Sequence, residues 1–285
     1  DEVSLGACTG PDLEGLRAAL SASLGEEDTA LSAAAARLDA KLQDSALLID
    51  DAHRLIVPTM GGLRAFDELL ELARDHSVHC SWVFSIDQAL WRFLERARGA
   101  RPLFDTVIHL EPWSEEAIVR LLDHKTDMAG VDPSFELLLN DLPPDADEID
   151  REQALQQTES SYYRLLWDYA AGNPGVALHF WRRSLGVRDD DTLCVRVFNA
   201  PDAEDLQGLS DAPVFVLRAM VQLGWASLDA ICEVTGLPVS QVKDALRYGS
   251  VKGYFERDGD RYHISWNWFR AITRLLRRRQ LIFGQ

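Results

Sequence analysis

No apolar run in this sequence approaches the ~18 residues that a membrane-spanning helix needs, and no secretory signal opens it. Cysteine is sparse: Cys8, Cys80, Cys194 and Cys232 stand far apart, without Cys-x-x-Cys or Cys-x-His spacing. That pattern excludes a clustered zinc ligand set and a disulfide framework, and it suits a reducing cytoplasm. Also missing are Gly-x-Ser-x-Gly, a Cys/His pairing and His-x-x-x-His, so neither a nucleophilic hydrolase nor a helix-borne metal site is signalled. His53, His79, His109, His179 and His263 are scattered. There is no Gly-x-x-x-x-Gly-Lys-Ser/Thr, hence no phosphate-cradling loop with its lysine. No repeat of solenoid period is present.

Positive charge is scarce as well. The chain carries 29 Lys/Arg against 46 Asp/Glu, a net charge of −17 that argues against bulk nucleic-acid binding. The deficit is uneven. Residues 213–285 hold 11 Lys/Arg and 6 Asp/Glu (+5), whereas residues 1–212 hold 18 and 40 (−22). A basic tail on an acidic body points to a separate partner for the tail.

What is present is enough for two or three cores: 285 residues, 47% apolar and 26% charged. The chain starts at Asp1 rather than Met, which reads as a piece of a longer protein. Glu2–Cys8 alternates as a strand, and Leu13, Leu16, Leu20 and Leu24 mark a helix face. A second short helix, Ala30 to Lys41, leads to Ser45-Ala46-Leu47-Leu48-Ile49-Asp50-Asp51. Its apolar run is too short for a helix, and it predicts a buried parallel strand with two carboxylates at its carboxyl end. Leu63, Phe66, Leu70 and Ala73 predict a helix, His79–Ser85 a strand, and Gln88–Arg98 a helix. Thr106-Val107-Ile108-His109-Leu110 predicts a fourth strand. The alternation implies a parallel sheet with right-handed crossovers.

Ligands bind at the carboxyl ends of such strands, where a carboxylate suits Mg²⁺ held through water and a second suits orienting an attacking water. The alternative for Asp50 and Asp51 is a solvated turn. The stretch resembles the Walker B segment of P-loop ATPases, in the double-Asp form of the STAND division, where AAA+ relatives usually carry Asp-Glu. The resemblance implies Mg²⁺ coordination by Asp50 and water activation by Asp51. It also implies a polar sensor contact to the γ-phosphate or the water from Ser85, which otherwise reads as a helix N-cap. Arg96, Arg98 and Arg101 fall where AAA+ subunits present an arginine finger, with Arg101 the best placed. They equally suit a solvated helix end.

The same resemblance makes Leu110–Glu116 the approach to a helical lid. Asn140–Asp150 reads as an acidic mobile loop, and Gly172-Asn173-Pro174-Gly175 as the break between two lid helices. No residue matches a sensor-2 arginine: Gly175 stands in that segment, with His179 and Arg182 beyond it. Residues 187–212 read as a linker with one strand, Leu193–Phe198.

Val214–Leu223, Ser227–Thr235, the turn Gly236-Leu237-Pro238 and Val239–Tyr248 form a helix-turn-helix. A hairpin around Asp258-Gly259 completes a winged helix. Lys243 and Arg247 sit on its second helix, with Asp244 opposing them. The last helix carries Arg270, Arg274, Arg277 and Arg278 in one stripe, opposite Trp268, Ile272, Leu275 and Leu276, with Trp266 and Trp268 expected in the core. The stripe suits DNA phosphates or an anionic membrane surface, or it serves the acidic body.

The expected plan is a P-loop NTPase-like α/β core lacking its phosphate-loop strand (1–112), a helical lid and linker (113–212) and a winged helix (213–285). What the resemblance implies is an ATP- and Mg²⁺-dependent cytoplasmic switch controlling an assembly or a partner. Its phosphate loop would lie upstream, so this chain alone would be inactive. The implied partners are other subunits of a homo-oligomer or a regulated protein, with DNA through the winged helix and membrane association through the N-terminal side. The alternative is a non-hydrolysing scaffold or winged-helix DNA-binding regulator with a degenerate ATPase domain. The missing strand should leave the strands at 79–85 and 106–110 with unpaired edges.

Overall fold

The computed structural model describes residues 3–8, 12–24, 30–41, 45–57, 59–78, 80–99, 102–139 and 147–282. Its first part is mixed α/β. Strands β1 (Val3–Ala7), β2 (Ser45–Asp50) and β3 (Cys80–Phe84) form a parallel sheet in that order, with β2 central. Helices α1 (Glu14–Leu24), α2 (Leu31–Lys41), α3 (Arg64–Asp75) and α4 (Gln88–Arg98) alternate with the strands. Leu47 and Ile49, two residues apart on β2, are fully buried with Leu16 and Leu20 of α1, Phe66 and Leu69 of α3 and Leu90 and Leu94 of α4. Each such side chain contributes about 1.5–3 kcal/mol by leaving water.

The strand expected at 106–110 does not form. Among the described residues β2 is the only partner of β3, and the chain from 102 to 114 carries no regular structure. Leu103 and Phe104 pack on the α/β core, with the Phe104 ring 5.2 Å from that of Phe84. Beyond them Val107, Ile108 and Leu110 are 44%, 80% and 89% exposed. A strand needs a neighbour for its N–H and C=O groups, and this segment has none within hydrogen-bonding reach among the described residues.

A helical unit follows. In α5 (Glu115–Ala129) the Ser114 hydroxyl accepts the Ala117 N–H, acidic Glu115 and Glu116 occupy the first turn, and Gly130 closes the helix at φ 64°. Helix α6 (Glu148–Ala170) begins inside the stretch expected to be a loop, capped by Asp147, which accepts the Asp150 N–H at 2.8 Å. Residues 148–150 are thus helical, and 140–146 lie outside the described residues. Helix α7 (Pro174–Ser184) is capped by Asn173 with Pro at its first position. Strand β4 (Leu185–Val187) continues straight from it and pairs antiparallel with β5 (Leu193–Val195). Ile118, Leu122, Tyr162, Tyr163, Phe180 and Trp181 fill this unit's core.

The last unit runs α8 (Asp211–Leu223), β6 (Ala226–Ser227), α9 (Leu228–Thr235), α10 (Val239–Val251), β7 (Phe255–Asp258), β8 (Arg261–Ile264) and α11 (Trp266–Arg278). Its three strands form an antiparallel sheet in the order β6-β8-β7. Gly249 has no room for a side chain because the Phe255 ring lies against it. Trp268 is buried, its ring 4.7 Å from Tyr254. Trp266 is not a core residue: it is 39% exposed and its ring lies against Gly175, where a Cβ would meet it at 2.8 Å. As the first residue of its helix it projects toward α7 rather than into the C-terminal core. Phe269 packs on both this unit's cluster and that of the helical unit.

Candidate functional site

The parallel register aligns the strand ends. Ala7 faces Asp50, and Ile49 faces Phe84. Hydrogen bonding continues one step past the strands: the Cys8 N–H donates to the Asp50 carbonyl at 3.1 Å, and the Ser85 N–H to the Ile49 carbonyl at 2.9 Å. The Ala52 N–H then donates to the Ser85 carbonyl at 3.0 Å, drawing the turn after β2 toward the end of β3. Asp50 and Ser85 therefore stand side by side, both exposed.

Asp51 turns the chain sharply, at φ 53°, a left-handed conformation that Asp tolerates better than most residues. Its N–H donates to Oδ1 of Asp50 at 2.9 Å, while the Asp50 residue stays exposed. A 3₁₀ turn over Ala52–Leu55 brings Arg54 back over Asp51, with Nε 2.9 Å from Oδ2. The contact is an ion pair rather than a directed hydrogen bond, since the Arg54 Nε–H finds no aligned acceptor. Asp51 is 37% exposed and Arg54 17%, so the pair is partly shielded from solvent.

His53 is half-buried and lies 4.0 Å from Asp51 by its Nδ1, an atom that is buried without a hydrogen-bond partner. Burial holds its imidazole below the ordinary range, against the pull of Asp87, Asp51 and Asp50, so it is neutral near pH 7. The Cys8 thiol is pushed up to about 12, first by burial and then by Asp51 and Asp50. It stays protonated and is no nucleophile.

This arrangement can place one exposed carboxylate and one hydroxyl against a ligand at the sheet end. Among the described residues no group of three or more His, Cys, Asp or Glu could hold a metal ion. Asp50 thus fits a Mg²⁺ delivered with phosphates and water, and not a cage made by the protein. Arg54 and His53 were not singled out as site residues from the sequence, though Asp-x-x-Arg at 51–54 is the spacing at which one 3₁₀ turn brings two side chains together.

Of the candidate arginine fingers, Arg98 pairs with Asp67 of α3, Arg96 is also engaged, and Arg101 lies outside the described residues. Lys243 and Arg247 are exposed on α10, beside exposed Asp244. On α11, Arg274, Arg277 and Arg278 are exposed and Arg270 is half-buried. The structure does not bring either set to the carboxyl ends of the parallel strands.

No protein-family model matches this sequence, and no curated protein matches it. Among solved structures the chain aligns with a Walker-type ATPase of Pyrococcus abyssi at 14% identity, over 88% of this chain and 69% of that one, with a TM-score of 0.30. A likeness that distant decides nothing about chemistry, which rests here on the geometry of the strand ends.

Proposed function

We propose that this chain is the part of an AAA+/STAND-type ATPase that follows the phosphate loop. On this reading the α/β core carries the nucleotide, α5–α7 form the lid, and the C-terminal unit is a winged helix whose position nucleotide state controls. The observation that carries the reading is Asp50 beside Ser85 at the ends of neighbouring parallel strands. Asp50 would hold the magnesium-bound water shell, and the Ser85 hydroxyl would donate to a phosphate oxygen or the attacking water. Bound Mg²⁺ would supply charge neutralisation at the phosphates. Asp51, once parted from Arg54, would orient the water.

The 285 residues contain no phosphate loop, so the site needs that loop from outside them. The gene sequence upstream of Asp1 is the first test. A strand followed by Gly-x-x-x-x-Gly-Lys-Ser/Thr supports the ATPase, and an upstream stretch without it overturns hydrolysis. In a protein that includes the loop, Asp51→Asn is expected to cut ATP turnover by ~10²-fold or more while nucleotide binding persists. Unchanged turnover removes Asp51 from the chemistry.

The Arg54–Asp51 ion pair favours a second reading, a regulator that has lost hydrolysis. Arg54→Ala separates the two. Raised or unchanged turnover fits an ATPase restrained by the pair, whereas no turnover in either form fits the regulator.

A further inference from the structure

The arginines of α11 are a group of one charge that the nucleotide reading leaves unused. From Tyr262 to Gln285 there is no Asp or Glu. Arg279 reaches the carbonyls of Gln207 and Leu209 at 3.5 Å. Arg270, Arg274, Arg277 and Arg278 form no ion pair within 4 Å among the described residues. They follow one helical face, and from Arg270 to Arg278 the row spans about 12 Å at 1.5 Å rise per residue. Burial and the crowding of Arg277 and Arg274 press the Arg270 guanidinium below its usual range, against Asp168 and Tyr169. Burial is the larger cause, and the neighbouring guanidinium groups add to it.

Three kinds of anionic surface could meet this row. A membrane-surface helix needs its apolar face free to enter the lipid. Here Trp268, Ile272 and Leu276 are buried in the core of their own unit. A protein partner would bring apolar anchors to a surface that accepts them. Between Arg270 and Gln280, however, every exposed residue is an arginine or Gln280. An all-guanidinium row meets what it can bind in a line of phosphates, through bidentate hydrogen bonds and release of condensed counterions. The neighbouring recognition-type helix is less suited. Lys243 and Arg247 share α10 with Asp244, and the hairpin beside it adds Glu256, Asp258 and Asp260.

We propose that the arginine face of α11 is a docking surface for the sugar-phosphate backbone of nucleic acid, independent of base sequence. The inference does not rest on the nucleotide reading, and either can fail without the other. With about four phosphate contacts the slope of log K against log salt should lie near −4, and affinity should fall about a hundredfold between 50 and 200 mM salt.

The test is fluorescence anisotropy of the whole 285-residue chain with a labelled duplex, with a poly-glutamate chain as competitor. The triple variant R274Q/R277Q/R278Q is expected to reduce the slope by about 3, while K243Q/R247Q leaves it nearly unchanged. Thermal melts of both variants should match the parent, since all five residues are exposed. No binding at 50 mM salt, the reverse ranking of the two variants, or poly-glutamate binding that exceeds duplex binding would each overturn the proposal.

Discussion

His53 is half-buried near three carboxylates, yet burial lowers its pKa, and its Nδ1 has no hydrogen-bond partner among the described residues. Desolvation sets that balance. A neutral imidazole can leave water, but an imidazolium cannot unless a counterion meets it closely, and Asp51 stops at 4.0 Å. Folding therefore lowers the pKa of His53 below its ordinary value of 6.5. His179 is lowered too, by burial and then by Arg183. The sign follows from linkage. Below 6.5 the unfolded chain takes up protons that these folded imidazoles refuse, so stability is full above that pH and falls as pH drops through it. The melting temperature is expected to decline from pH 7.5 to 5.5, before carboxylates titrate. His53→Gln should flatten that decline, and an unchanged pH profile in the variant would show that another group carries it.

The corner between α6 and α7 shows how one backbone position can fix an element. Gly172 sits at φ +70°, and a Cβ there would lie 2.6 Å from the Trp113 carbonyl oxygen and 2.7 Å from Pro112. That closeness lets the Gly172 carbonyl accept the Trp113 N–H at 2.9 Å, while the Trp167 indole donates to the Trp113 carbonyl at 2.8 Å. The start of α5 is thereby clasped to the corner. Gly172→Ala combines left-handed strain of about 1–2 kcal/mol with a clash against backbone, so a loss of about 2 kcal/mol or more is expected in denaturant unfolding. A loss under half that size would mean the corner yields easily.

Much at this scale was legible in the sequence. Gly-Asn-Pro marked the corner because each residue has a local backbone reason to be there. Leu47, Ile49 and the carboxylates after them marked the central strand and the candidate site. Other features depend on what lies across the molecule. Val107–Leu110 alternates like a strand, but pairing needs a neighbour that the local pattern cannot supply. Leu185-Gly186-Val187 continues a helical face, and only its antiparallel partner, Leu193–Val195, makes it a strand. The Arg54 grip on Asp51 depends on a left-handed turn, which sequence periodicity does not register.

At the scale of the whole molecule, apolar side chains collect into three clusters, one α/β, one helical and one C-terminal. The last two are tied together, since α7 packs on α11 and Phe269 touches both cores. The first is joined to the helical cluster through 105–112, the stretch in which Ile108 and Leu110 stand open to water. Exposed apolar groups at that spacing are a cost that a monomeric surface rarely carries without use. They also make a protease substrate, because cleavage in the native state needs local backbone freedom that helices and paired strands deny. Thermolysin, which cuts before large apolar residues, is therefore expected to cleave first between Thr106 and Glu111. The α/β part should separate from the units that follow it, as mass spectrometry of the early products would read. Cleavage elsewhere first would mean that this segment is covered in solution. A strand added beside β3 by a segment outside these residues would give the same stretch a partner, and the early cut should then slow markedly.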